Sequence, residues 1–135
     1  MPEKLKYLSG EWSREVKKRL EKGLTPEKMN NLTSSMTNLY KNCPGGTDMF
    51  FHVAFKDGAV DAVETGEGTG PPAEFLITGN YDIFAAISRA EMGSQKALMT
   101  GKLKLKGNMV KALKLASLVD RVNRIIAEIP MDFDI

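Results

Sequence analysis

The stretch from Ala97 to Leu118, ALMTGKLKLKGNMVKALKLASL, changes its hydrophobic period at one joint, Gly107-Asn108. Before the joint, Leu103 and Leu105 alternate with Lys102, Lys104 and Lys106, which predicts a strand through Gly101 to Lys106 with one apolar and one basic face. After it, Met109, Val110, Leu113 and Ala116 recur at helical spacing, with Lys111 and Lys114 on the other side. Asn108 suits the cap, because its side-chain oxygen accepts from amides that the first helical turn leaves unpaired. Strand, cap and helix in this order bring a leucine face and an apolar stripe together across a short turn. They make one corner of an apolar compartment.

Upstream, Met49 to Lys56 predicts a strand with Met49, Phe51, Val53 and Phe55 on one face and Phe50, His52 and Ala54 on the other. Asp57-Gly58 is a strong hairpin signal, so Ala59 to Thr65 should pair back antiparallel. Gly66 to Pro72 reads as a flexible loop at the compartment's rim, and Ala73 to Thr78 as a further strand. A helix over Tyr81 to Ala90, opened by Asn80, turns Ile83, Phe84 and Ile87 inward, and Glu91 to Lys96 connects it to the organising strand.

Two amphipathic helices are expected before residue 47. One runs from about Ser9 to Lys22 with Trp12, Val16 and Leu20 a turn apart, ended by Gly23. The other starts at Thr25-Pro26-Glu27, with Met29, Leu32, Met36, Leu39 and Tyr40 as its stripe. Neither Gly nor Pro interrupts Met109 to Ile129, so one long helix and a break near Ser117 to Asp120 are both compatible with the pattern. Val122, Ile125, Ile126 and Ile129 are placed to cover a cavity mouth. The tail through Met131 to Ile135 departs from the peroxisomal targeting tripeptide.

The chain has 135 residues, which predicts a single domain: N-terminal helices in 1–46, a central region in 47–118, and a C-terminal helix and tail in 119–135. No apolar run approaches the ~20 residues of a membrane span, nor do the first residues resemble a signal peptide, which predicts a cytoplasmic protein. One cysteine, Cys43, excludes an internal disulfide and a cysteine-cluster metal site. Eight methionines, among them Met49, Met92, Met99 and Met109, suit either core gaps or adaptable binding walls.

The central region resembles the sterol-carrier-protein type-two domain family. The resemblance rests on the Gly-Lys-Leu-Lys strand at Gly101 to Lys104, Gly107-Asn108-Met109, and the leucine-lysine helix that follows. It extends back through Ala73 to Thr78 and Tyr81 to Ala86, covering roughly Thr47 to Leu118. It implies an α+β fold, a mostly antiparallel sheet of about five strands covered by helices, enclosing a hydrophobic lipid cavity. It also implies a small non-enzymatic carrier with a hydrophobic tunnel for a sterol, fatty acid, acyl-coenzyme A or related isoprenoid or acyl lipid. An accessory, lipid-presenting domain of an enzyme complex is the alternative.

Facing positions in the matching region nominate the cavity lining. On the early strands these are Phe51, Val53, Phe55, Phe75 and Ile77. The helix and connector contribute Phe84, Ile87, Met92 and Met99, and the organising unit contributes Leu103, Leu105, Met109 and Leu113. Catalytic candidates are sparse. His52 is the single histidine, Cys43 has no base near it in sequence, and the glycine loop at Gly66 to Gly70 opens a strand where a phosphate loop opens a helix. A small acyl hydrolase using Cys43 or His52 is a third reading. No metal and no cofactor are expected.

Lys96, Lys102, Lys104, Lys106, Lys111 and Lys114 occur without an acid between Lys96 and Leu118. Such a basic face suits an anionic membrane surface, with Lys102, Lys104 and Lys106 as its contacts. Nucleic acid is not an expected partner, because no aromatics are interleaved with these lysines as stacking platforms.

Overall fold

The computed structural model describes residues 4–133. Its elements in chain order are β1 (Leu5–Lys6), α1 (Gly10–Gly23), β2 (Ser34–Lys41), β3 (Met49–Lys56), β4 (Ala59–Glu67) and β5 (Phe75–Asn80). There follow α2 (Tyr81–Ser88), α3 (Ser94–Met99), β6 (Leu103–Lys106), α4 (Met109–Lys114), α5 (Ala116–Ala127) and β7 (Met131–Asp132). The main sheet has five strands in the order β4-β3-β2-β5-β6, an α+β arrangement. It is mixed: β2 and β5 run parallel, and the other neighbouring pairs are antiparallel.

Side chains alternate across this sheet, so register assigns every residue to a face. Met36 lies opposite both Val53 and Phe75, Asn38 opposite Phe51 and Ile77, and Ile77 opposite Leu105. That face is roofed by the helices. Thr37, His52 and Glu64 share the other face with Lys104 and Lys106.

The first helix forms as its sequence dictates. Ser9 caps it by accepting from the Trp12 amide at 3.2 Å, and Trp12, Val16 and Leu20 are buried along one side. Trp12 meets Phe51 edge to face, ring centroids 5.1 Å apart, which closes the roof over β3. Nearby, at the same end of the β2–β3 pair, Phe84 of α2 stacks on Tyr40 at 4.2 Å and 7° between planes.

The expected second N-terminal helix is replaced by one turn and a strand. Thr25 does cap, accepting from the Lys28 amide at 3.2 Å, but Asn30 and Asn31 then take φ of 52° and 51° and end the turn. Met36 and Tyr40 are four apart, a spacing that serves a helical stripe and one face of a strand equally. Pairing on both edges, with β3 and β5, decides for the strand. This strand is the fifth member of the sheet.

Asn108 opens α4 as predicted, accepting from the Lys111 amide at 3.1 Å. The long C-terminal stretch breaks at Leu115, ahead of the expected Ser117 to Asp120. A short helix, α3, occupies part of the expected connector. The loop after β4 does not rim the compartment. It crosses the sheet's outer face, where the Thr37 hydroxyl donates to the Pro71 carbonyl at 2.9 Å and Gly70 packs on Phe50.

The C-terminal segment, expected at a cavity mouth, is packed into the core. Val122, Ile126 and Ile129 are buried, and Ile125 presses on Gly23 at the end of α1. β7 pairs in parallel with β1. Of the predicted tail, residues 134–135 lie outside the described residues. No described helix is long and apolar enough to cross a membrane.

Candidate functional site

Between the sheet's inner face and the last three helices lies an apolar cavity of about 90 Å³. Met36, Val53, Phe55, Phe75 and Ile77 form its floor, with Leu103 and Leu105 of β6 beside them. Leu98 of α3, Leu113 of α4 and Leu118, Val119 and Val122 of α5 form its roof. Met29 and Leu32, from the turn that precedes β2, close one flank. Polar lining comes from two places, Ser34 and Ser35 at the start of β2, and Ser94 and Gln95 at the start of α3.

The unit formed by β6, Asn108 and α4 makes one corner of this cavity, because Leu103, Leu105 and Leu113 all reach it. Leu113 is also 42% exposed, which sets it at the mouth. Beside it Met109 and Val110 are exposed. Lys111 holds the same helix to the sheet, donating to a Glu74 carboxylate oxygen at 2.5 Å while the Ser34 hydroxyl donates to the other oxygen. The Lys111 bond, then that of Ser34, holds the Glu74 carboxyl below its usual range.

Seven of the thirteen nominated residues line this cavity: Val53, Phe55, Phe75, Ile77, Leu103, Leu105 and Leu113. The other six lie elsewhere. Phe51 shares the inner face but sits under Trp12, and Phe84 is taken up by its stack on Tyr40. Met99 and Met109 end and begin their helices exposed, Met99 at 75%. Ile87 and Met92 line a separate hollow beyond Ser94.

Leu98, Leu118 and Val119, which reasoning from sequence did not nominate, complete the roof with Val122, the one residue of the expected mouth cover that reaches the cavity. Their amphipathic spacing carried the signal; the break at Leu115, which turns that stripe over the cavity, carried none.

Neither titratable candidate lines the cavity. Cys43 is buried at the Tyr40 end of the core, its Sγ 3.5 Å from the Tyr40 carbonyl, and burial pushes its thiol up, away from the nucleophilic thiolate. His52 is buried on the opposite face from the cavity, with Nδ1 2.8 Å from the Thr37 hydroxyl. Since that hydroxyl donates to Pro71, Nδ1 donates to it. Burial lowers the His52 pKa, opposed by nearby Glu64. No three metal-ligating side chains converge among the described residues.

The predicted basic surface divides in two. Lys104 and Lys106 lie on the outer face of the edge strand, whereas Lys111 and Lys114 ride on α4 at the cavity mouth.

A mixed sheet roofed on one face by helices that enclose an apolar cavity defines an α+β domain built around an internal binding space. The chain belongs to the SCP-2 sterol transfer family, whose sequence model matches residues 17–120. Domains of this family are generally non-catalytic and bind or transfer lipid. The chain is 38% identical over 64 residues to the non-specific lipid-transfer protein-like 1 of Caenorhabditis elegans, 47% of this chain and 54% of that one. It therefore spans about half the length of the curated relative it matches.

Among solved structures, a crystal structure of sterol carrier protein 2 superposes with a TM-score of 0.80 at 17% identity, covering 92% of this chain and 99% of that one. A conserved hypothetical protein of Thermus thermophilus superposes with a TM-score of 0.75 at 16% identity, covering 97% and 94%. At such identities these two likenesses speak for the fold.

Proposed function

We propose that this domain holds the apolar chain of an acyl or isoprenoid lipid in the cavity under α4 and carries it between membranes without a covalent step. The carrying observation is the cavity itself: apolar floor and roof, polar side chains at two places only, and a mouth formed by exposed Leu113. Val53, Phe55, Phe75, Ile77, Leu103, Leu105 and Leu113 then contact the chain. Each methylene transferred from water is worth ~0.8 kcal/mol, so ten supply roughly 8 kcal/mol before ordering costs are subtracted. Reversible partition of that size needs no catalytic group.

An engineered apolar cavity of about 150 Å³ suffices for one benzene ring, so the present ~90 Å³ is smaller than a whole lipid. Uptake therefore requires the roof to move. The element suited to move is α4, a six-residue helix with no buried residue. Mass spectrometry of an organic extract from natively purified protein tests the reading: a stoichiometric long-chain lipid supports it. Failure of delipidated protein to bind any long-chain lipid would remove it.

Loading and release at a membrane follow from the mouth's surroundings. Met109, Val110 and Leu113 are exposed there, with Lys111 and Lys114 on the same helix; Lys102 precedes the edge strand β6, whose Lys104 and Lys106 lie on its outer face. Lysines near an anionic surface contribute about 1 kcal/mol each, weakened by salt. Replacing Lys102, Lys104 and Lys106 together by Gln should weaken binding to anionic vesicles at low salt. Salt-independent binding, unchanged in the triple variant, would leave these lysines as solvated surface.

A further inference from the structure

Beyond Ser94 lies a second hollow, of about 290 Å³, walled by the segment from Ala90 to Ser94 and by Asp120, Asn123 and Arg124 of α5. Ser94 lines both hollows, so they lie side by side, and the second mixes apolar Ile87 and Met92 with the polar side chains of Glu91, Asp120, Asn123 and Arg124. The helix α5 divides its faces between them. Leu118, Val119 and Val122 face the cavity, while Asp120, Asn123 and Arg124 face the hollow. Successive helical residues turn by about 100°, which makes these two stripes neighbours along one helix. Amphiphilic walls of this kind match a molecule that is itself amphiphilic.

We propose that this hollow holds the head of a lipid whose tail occupies the apolar cavity, and that the head is uncharged and hydroxyl-bearing, as in a monoacylglycerol; this rests on the carrier reading above. The side chains decide the head's chemistry. The Asp120 carboxylate accepts hydrogen bonds, Asn123 and Ser94 both donate and accept, and Arg124 donates. Glu91 is engaged by Arg89, Nε to Oε1 at 3.1 Å. A head with hydroxyl groups supplies donors for Asp120 and acceptors for Arg124 at once. A fatty-acid carboxylate supplies acceptors alone, so it satisfies Arg124 but brings no donor to Asp120 and sets a like charge beside it. A quaternary ammonium finds no aromatic cage, because no ring lines the hollow.

The test is displacement of a fluorescent fatty acid from delipidated protein by 1-monomyristoylglycerol and by myristate, which share one tail and differ in the head. The wild type should prefer the monoacylglycerol by about ten-fold, the worth of one hydrogen bond to a charged group. Asp120→Lys, which gives the carboxylate a cationic partner, should reverse the order. Asp120→Asn, which keeps size and shape, should narrow the preference if the lysine variant does not fold by circular dichroism. Equal displacement by both compounds in the wild type, or an order unmoved by either substitution, would overturn the head site and leave the carrier reading standing. Failure of the fluorescent fatty acid and of both compounds to bind the delipidated protein would overturn both, whereas a bound probe that neither compound displaces would overturn the head site alone.

Discussion

Leu113 and Phe84 are both large apolar residues on the helical side of the sheet, yet they call for opposite expectations. Leu113 borders open space at the cavity mouth. Leu113→Trp should leave the melting temperature of delipidated protein near the wild-type value while long-chain lipid binding falls. Phe84 is buried against Tyr40, and Phe84→Ala should cost about 3 to 5 kcal/mol in denaturant unfolding. A destabilised Leu113→Trp would place that residue in close-packed core.

His52 carries a prediction in pH. Its pKa is lower in the fold than in the unfolded chain, so between the two values the unfolded chain binds more protons. Stability contributed by neutral His52 is complete above the unfolded value of about 6.5 and declines as pH falls below it. His52→Gln should flatten the fall in unfolding free energy measured from pH 7 to pH 5. At this scale the sequence told much. Alternation with lysine marked Leu103 and Leu105 as wall residues. Phe51 was not separable from Val53 and Phe55, since all three share a strand face and only the position of Trp12 over one end distinguishes them.

Helix α4 closes the mouth through one polar clasp. Lys111 joins Glu74, which Ser34 also engages, so the contact spans the start of β2, the residue before β5, and α4. The ion pair is partly exposed and worth about 1 kcal/mol or less to stability. Its larger effect should be kinetic. Lys111→Ala should raise both uptake and release rates of a fluorescent fatty acid in stopped flow, with little change in melting temperature. Unchanged rates would mean that entry lies elsewhere.

The strand, cap and helix that contain this clasp were legible because their period changes at a capped joint. The strand β2 was not, for Met36 and Tyr40 satisfy both periods, and the Thr-Pro-Glu start signal is a real cap that opens a single turn. What cancels it is a pair of asparagines at positive φ, a weak local signal beside two long-range sheet partners.

At the scale of the molecule, the C-terminal helix is part of the core. Leu118, Val122, Ile126 and Ile129 are buried, and α5 packs on both α1 and α2. Truncation after Asp120 removes three of these four and strips β1 of its partner. The truncated chain should lose cooperative thermal unfolding and not merely release ligand faster, a difference that circular dichroism melting resolves. Membership of an α+β class could be read from strands 49 to 65 and the Ala97 to Leu118 unit. The parallel β2–β5 pairing could not, because nothing local to either strand specifies it.

The pairing of β1 with β7 has a mechanical consequence. The two strands run parallel, joined by the Leu5 amide to the Pro130 carbonyl at 3.0 Å and the Tyr7 amide to the Asp132 carbonyl at 2.9 Å. Tension between the chain ends pulls β1 backward and β7 forward, so it loads both bonds together, along the strands. Handles at Lys4 and Pro130, on the same end of the pair, would instead peel them apart one after the other. In an optical trap the end-to-end geometry should rupture at the higher force, making this small two-stranded sheet a shear latch against stretching.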